Sequence, residues 1–267
     1  LYFANNLGMV IGTTIVGPLY QYAHGNISPM FSITTVLYVL FSAVVFFFFK
    51  DNKSTRRSNR EVDVDMAEEK EQVKMPVSNL VISWTFFAAL MIIWTMYEQW
   101  ASNLSVFMTD QGISMTKYSL LWTLNGVLIV IIQLIITWIN RYRSNLYLQV
   151  FLGIFTVGFS FVLLLFAKSY VWFVLAMTVL TIGEATAFPT MPAIVNELSP
   201  VNIKGKYQGI LNAFSSLGKA IGPLFGGILI ELSSYRILFV VCAVAVFATL
   251  AVVFVVVKAN QSRTVRY

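Results

Sequence analysis

Eight long apolar stretches alternate with polar intervals along the chain, near residues 1–22, 29–49, 79–109, 118–139, 146–167, 170–197, 206–231 and 236–257. Each is close to or beyond the roughly 20 residues that a helix needs to cross a hydrocarbon core. We name them spans A to H. A β-barrel would show short alternating segments with polar turns instead, and none occur. The pattern predicts an all-α polytopic membrane protein.

Polar residues inside the spans are shared unevenly. Span A carries Asn5 and Asn6; C carries Glu98, Gln99 and Asn103; D carries Asn125 and Gln133; F carries Glu184; G carries Asn212 and Lys219. Spans B, E and H carry little beyond Ser and Thr. Helices apolar all round face lipid, whereas intramembrane polar groups face a bundle interior or a wet cavity. Every third helix is therefore expected at the periphery, which points to repeated three-helix units. Glycines are also patterned. "GTTIVGPL" (12–19) in A resembles "GKAIGPLFGG" (218–227) in G, six crossings later. Small residues at four-residue spacing (Gly8 and Gly12; Gly218, Gly222 and Gly226) let helix backbones approach closely. Gly17 and Gly227 flank the two prolines or follow them, and Pro18 and Pro223 each remove a backbone donor. Close packing and a moving hinge both fit these residues.

Composition sharpens the membrane reading. The chain is 58% hydrophobic and 11% charged, with a mean hydropathy of +0.75, whereas a soluble domain carries about 25% charged residues. The net charge of +6 does not indicate nucleic acid, because its placement follows the membrane. With an even number of crossings both chain ends share one side. That side holds Lys50, Lys53, Arg56, Arg57, Arg60, Lys70, Lys74, Arg141, Arg143, Lys204, Lys206, Lys258, Arg263 and Arg266. The other side holds only Lys117, Lys168 and Arg236. Such a bias places the 50–77 loop and the C-terminus in the cytoplasm. The expected location is the plasma membrane, multi-pass. The expected organisation is 1–49 as two helices, 50–77 as a charged linker, 78–258 as a six-helix half and 259–267 as a tail. The linker's seven basic and seven acidic residues between 50 and 76 read as a solvated tether. No charged n-region precedes span A, which looks already under way and suggests a fragment.

Chemistry-bearing residues are few. His24 and Cys242 are the single histidine and cysteine, so neither a disulfide framework nor a zinc site is expected. Glu184 stands out. It has uncharged residues on both sides, back to Val174 and on to Asn196, with Pro189 and Pro192 just behind it. A carboxylate at such depth costs roughly 2.5–3.5 kcal/mol on insertion scales, so something must be gained from keeping it.

These features together resemble the major facilitator superfamily of secondary transporters, and most of all its proton-linked multidrug exporters. "GPLFGG" (222–227), and less well "GTTIVGPLYQY" (12–22), look like the glycine-proline helix motif. "NELSPVNIKGKYQG" (196–209) is similar to the turn between helices ten and eleven, and "INRYRS" (139–144) to the loop between eight and nine. Asn140 and Lys204 depart from those motifs. The resemblance covers the whole chain and implies helices five to twelve of twelve, with the first four missing. It brings Glu98, Glu184 and Lys219 into one half, approaching its cavity together with Asn103, Asn125 and Asn212. It implies alternating access driven by a proton gradient, no cofactor, a small-molecule substrate, and a monomer when full length.

Within that frame Glu184 reads as a proton-titratable group, since burial disfavours a carboxylate's charge and a nearby cation favours it. A static Glu184–Lys219 pair is the plain alternative, in which case Glu98 is the better proton carrier. Trp94, Tyr97, Trp100, Trp122 and Phe188 are candidates to stack on a lipophilic cation. Arg141, Glu197 and Lys204 are candidates for a cytoplasmic gate. The favoured activity is proton-coupled efflux of lipophilic or cationic compounds. Proton-coupled uptake of a sugar, peptide or organic acid is the first rival; a membrane enzyme or a non-transporting receptor is the second.

Overall fold

The structure is a computed structural model that describes residues 8, 11–12, 14–16, 18–19, 22–23, 26–48, 75–142 and 145–267. The expectations for Asn5, Asn6, Gly17, His24, Arg143 and the linker through Lys74 lie outside these residues. Among the described residues, seven segments are long and apolar enough to cross a membrane, and no strand occurs. The helices are α1 (Ser28–Phe48), α2 (Val77–Ser102), α3 (Leu104–Asp110), α4 (Met115–Asn140), α5 (Leu146–Leu164), α6 (Tyr170–Leu198), α7 (Lys204–Leu232) and α8 (Tyr235–Asn260). The described positions between 8 and 22 are helical too.

Two compact units result. One comprises residues 18–74, of which α1 is the described helix. The other comprises 1–17 and 75–267 and holds the described candidate site residues except Pro18, which belongs to the first. Within it, the Thr14 and Thr123 hydroxyls lie 3.0 Å apart.

Local signals start the helices. Ser114, Asn145 and Ser234 each accept a backbone N–H from three residues ahead, and so cap α4, α5 and α8. Gly112, with φ of 76°, makes the turn between α3 and α4 in a conformation that favours glycine. Span C is not one rod: it breaks at Asn103 into α2 and α3. At the break, the Tyr118 hydroxyl donates to the carbonyls of Trp100 (3.1 Å) and Ala101 (2.9 Å) in the last turn of α2. Glu98, Ser102, Ser105 and Thr109, which one unbroken helix would set in a single polar stripe, are divided by the break. The three hydroxyls turn back onto their own backbone, at Glu98, Ser102 and Val106.

Helix α6 continues through Pro189 and Pro192. Pro189 cannot donate to the Ala185 carbonyl. The Gln133 side chain of α4 does so instead, at 3.3 Å, so a neighbour repairs the loss.

Helix α6 packs against α5 and α4, α2 against α7 and α8, and α8 against α5. Leu148, Leu152, Phe155 and Phe159 form the exposed face of α5, while Val150, Ile154, Val157 and Phe161 are fully buried. Helix α7 keeps most of its surface open, including Asn212, Ser216, Lys219, Pro223 and Gly227.

The tail is more than a tether. Asn79 is fully buried. It donates to the carbonyls of Leu198 (2.8 Å) and Val265 (2.6 Å), and accepts from the Val265 N–H (3.1 Å). The Tyr267 N–H reaches the Glu197 carbonyl. One buried amide thus ties the start of α2 to the end of α6 and to the C-terminus.

Candidate functional site

Two glycine contacts set the frame. Gly218, Gly222 and Gly226 are the buried residues of α7 besides Leu211. A Cβ on Gly218 would strike the Met91 carbonyl, one on Gly222 would lie 2.5 Å from Cβ of Glu98, and one on Gly226 would strike the Gln99 side chain. The contact positions rise together along both helices, so α2 and α7 run parallel with their backbones nearly touching. Thr95 and Gln99 then donate across the gap to the carbonyls of Gly218 (3.3 Å) and Gly222 (2.8 Å). Asn103 donates to the Gln99 side-chain oxygen at 2.6 Å. Interhelical hydrogen bonds in membranes average only about 0.6 kcal/mol, so the glycine fit, more than these bonds, sets the interface. Gly12 and Gly227 meet nothing within 4 Å of a built Cβ, and Pro18 and Pro223 are exposed.

The second contact is one that sequence reasoning missed. A Cβ on Gly183 of α6 would lie 2.5 Å from the Gly153 carbonyl of α5, and one on Gly153 would lie 2.6 Å from Cβ of Ala187. This close approach seats the turn of α6 that carries Glu184. The available signal is "IGEAT" itself, where a glycine precedes the carboxylate.

Glu184 is buried, with 6% of its surface exposed. Its Oε2 accepts from the Tyr97 hydroxyl of α2 and from Asn125 Nδ2 of α4, both at 2.9 Å. Asn125 Nδ2 also donates to the Thr181 hydroxyl at 2.9 Å. Three helices therefore converge on one carboxylate oxygen. Among the described residues, the Asn125 amide oxygen is buried without a partner. The amide's donor end is turned toward Glu184, at the expense of its acceptor end.

Aromatic rings wall this carboxylate. Tyr97 lies 5.6 Å from Phe188 and 6.2 Å from Trp122; Trp94 lies 4.5 Å from Phe188 and 5.0 Å from Tyr97. Trp100, grouped with them in the sequence, is fully buried against Phe161 and serves packing.

Lys219 does not pair with Glu184. Its ammonium lies 3.8 Å from the Trp94 ring centroid. Among the described residues no ion pair within 4.0 Å joins it to Glu98 or Glu184, although its charge acts on both. Glu98 is half-buried beside Gly222, while Asn212 and Lys219 are exposed. The expected cytoplasmic cluster is also not assembled. Glu197 pairs with Arg266 of the tail at 3.3 Å, while Arg141 is exposed and Lys204 half-buried, with no ion pair among the described residues. The tail reaches Glu197 because Asn79 pins Val265 beside it. That pair is surface-lying, worth about 0–1 kcal/mol. No group of three metal-ligating side chains occurs among the described residues.

Helices of membrane-spanning length thus pack around a buried carboxylate, with an aromatic wall and a close glycine interface. A family model described as Major Facilitator Superfamily matches residues 1–189 and 149–266, and the chain belongs to that superfamily. YttB, an uncharacterized MFS-type transporter of Bacillus subtilis (strain 168), is 33% identical over 240 residues, covering 86% of this chain and 56% of that protein. The peptide transporter YePEPT of Yersinia enterocolitica is 21% identical over 204 residues, covering 67% of this chain and 40% of that one. Among solved structures, a POT family transporter in complex with 5-aminolevulinic acid superposes with a TM-score of 0.60 at 16% identity, covering 95% of this chain and 53% of that chain. A crystal structure of the peptide transporter POT gives 0.61 at 14%, covering 89% and 53%. At such identities the likeness is one of fold. The chain spans about half the length of the curated relatives it matches. These relatives are named transporters, not enzymes.

Proposed function

We propose that the whole protein is a secondary active transporter of the plasma membrane, working by alternating access, to which this chain contributes helices five to twelve. Its activity is proton-coupled efflux of lipophilic or cationic compounds, as in the multidrug exporters. The observation that carries this reading is Glu184, a buried carboxylate held by Tyr97 and Asn125 behind an aromatic wall. A charged Glu184 attracts an organic cation, and the rings attract it further. A protonated Glu184 lacks that charge. Proton and cation therefore exclude one another at one site, and that exclusion produces antiport. Glu98, half-buried on α2, supplies a second negative charge.

A second reading, proton-coupled uptake of a polar solute, is favoured by the peptide transporters among the fold neighbours and by the exposed Lys219 ammonium, which suits a carboxylate. One experiment separates the two. Proteoliposomes carrying the whole protein are given an imposed pH gradient, with radiolabelled tetraphenylphosphonium or a dipeptide as cargo. Export of tetraphenylphosphonium against proton entry supports the first reading. Dipeptide movement with the protons, and no movement of the phosphonium, replaces it with the second.

In this transporter the 50–77 loop and the C-terminus lie in the cytoplasm. A cysteine at Ser262 on a Cys242→Ala background is expected to resist an impermeant maleimide in intact cells and to react after lysis. Equal labelling before and after lysis reverses the orientation.

A further inference from the structure

Lysines within membrane helices pair with a carboxylate where one is at hand, because a lone charge there is costly. Lys219 has two carboxylates within electrostatic reach, yet its ammonium sits over an indole. The 3.8 Å separation is well inside the roughly 6 Å at which a ring quadrupole holds a cation. The helix packing dictates this placement. A Cβ on Gly218 would come within 3.0 Å of the Trp94 Cβ, so the next residue on α7 starts its side chain beside the indole. Phe188 and Tyr97 brace the indole at 4.5 and 5.0 Å, and Tyr97 in turn donates to Glu184. Trp94 is thus the outermost ring of the wall that guards the buried carboxylate, and a cation already lies on it.

We propose that the Trp94 ring is a cation subsite of the transport cavity, and that Lys219 is its built-in occupant, displaced when an organic cation enters. The inference rests on the lipophilic-cation reading and adds how the empty site is held. Among the described residues, the charged and titratable groups around this position include Tyr97 and Glu98 on α2, Glu184 on α6 and Lys219 itself on α7. An incoming cation takes the ring and draws on both carboxylates. The displaced ammonium, on a flexible four-carbon stem, has Glu98 to turn to, since Glu98 lies beside Gly222, one turn further along α7. A neutral lipophile gains nothing from the exchange, and an anion is drawn toward Lys219 instead of expelling it. The tethered lysine therefore makes the site selective for cations that bind an aromatic face better than an ammonium does. Large delocalised cations, with a thin hydration shell, meet that condition.

The test measures equilibrium binding of radiolabelled tetraphenylphosphonium to the whole protein in lipid nanodiscs. It compares the wild type, Lys219→Met, Trp94→Leu and the double variant. Lys219→Met is expected to tighten binding by roughly threefold to tenfold, the range that freeing one cation–π contact allows. Trp94→Leu is expected to weaken it. In the Trp94→Leu background the gain from Lys219→Met should shrink toward nothing, because no ring remains to be freed. Equal gains in both backgrounds would mean that Lys219 acts only by charge repulsion, and the proposal falls. Unchanged or weaker binding in Lys219→Met overturns it as well. Lys219→Gln repeats each comparison with a polar side chain, which guards against a folding defect peculiar to methionine. If the wild type binds a dipeptide but no phosphonium, and Lys219→Met weakens the dipeptide, the cation reading itself has failed.

Discussion

Gly226→Leu is expected to abolish transport and to lower sharply the amount of protein that reaches the membrane. The cause is steric. A single Cβ at this position would already strike Gln99 Oε1 and Asn103 Nδ2, which are engaged with one another and, through Gln99, with the Gly222 carbonyl. A leucine adds three further carbons into the same space. Overpacking a well-fitted core costs about 1–3 kcal/mol and occasionally more, and here Gln99, fully buried, also loses its partners. Leaving a buried amide unsatisfied adds about 1–3 kcal/mol. Together these are about 2–6 kcal/mol, which at its upper end matches the stability of the least stable domains, about 5 kcal/mol. A graded pair checks the cause. Gly226→Ala should lower the thermal midpoint of the purified protein, while Gly227→Ala, whose Cβ meets nothing within 4 Å, should leave it in place or raise it. Equal midpoints for the two alanine variants would show that α2 and α7 do not meet as described.

Much of this packing is legible in the sequence, for a simple reason. Span length and the four-residue spacing of Gly218, Gly222 and Gly226 are local properties, and bilayer physics translates them directly into helices and a close-packed face. The isolation of Glu184 among apolar residues is equally local. Pairing across helices is not. Nothing in the sequence says that Gln133 repairs the carbonyl that Pro189 abandons, or that Gly183 faces Gly153. Asn79 reads as an ordinary residue after the linker, because a buried amide that binds a C-terminal tail 186 residues away leaves no periodic trace. Among the described residues no ion pair joins Arg141, Glu197 and Lys204, for a related reason. Loop position alone groups those charges at the helix ends, whereas the tail brings Arg266 to Glu197 first. Lys219 shows the limit most plainly. Its charge invites a carboxylate partner, but the packing at Gly218 delivers it to an indole.

That placement alters the consequence of neutralising Glu184. Had Lys219 been its partner, Glu184→Gln would strand a buried cation at a cost of about 3–5 kcal/mol. With the ammonium exposed over Trp94, no such penalty arises. Glutamine keeps an acceptor oxygen for Tyr97 and Asn125, and it fills the same space. Protein levels and thermal stability should therefore stay near those of the wild type, and no second substitution at Lys219 should be needed to restore them. On the proposed function, only the ability to take and release a proton is lost, together with the charge that attracts a cation. Glu98, half-buried and beside the open face of α7, is the secondary charge; Glu98→Gln is expected to weaken cation binding but to leave coupling intact.

The direct measurement is flux of tetraphenylphosphonium in proteoliposomes under an imposed pH gradient, with the whole protein as wild type, Glu98→Gln and Glu184→Gln. Flux through Glu184→Gln is expected to fall to the level of protein-free vesicles, while Glu98→Gln still responds to the gradient. Gradient-driven flux of wild-type size in Glu184→Gln would contradict the role of Glu184 as the proton carrier.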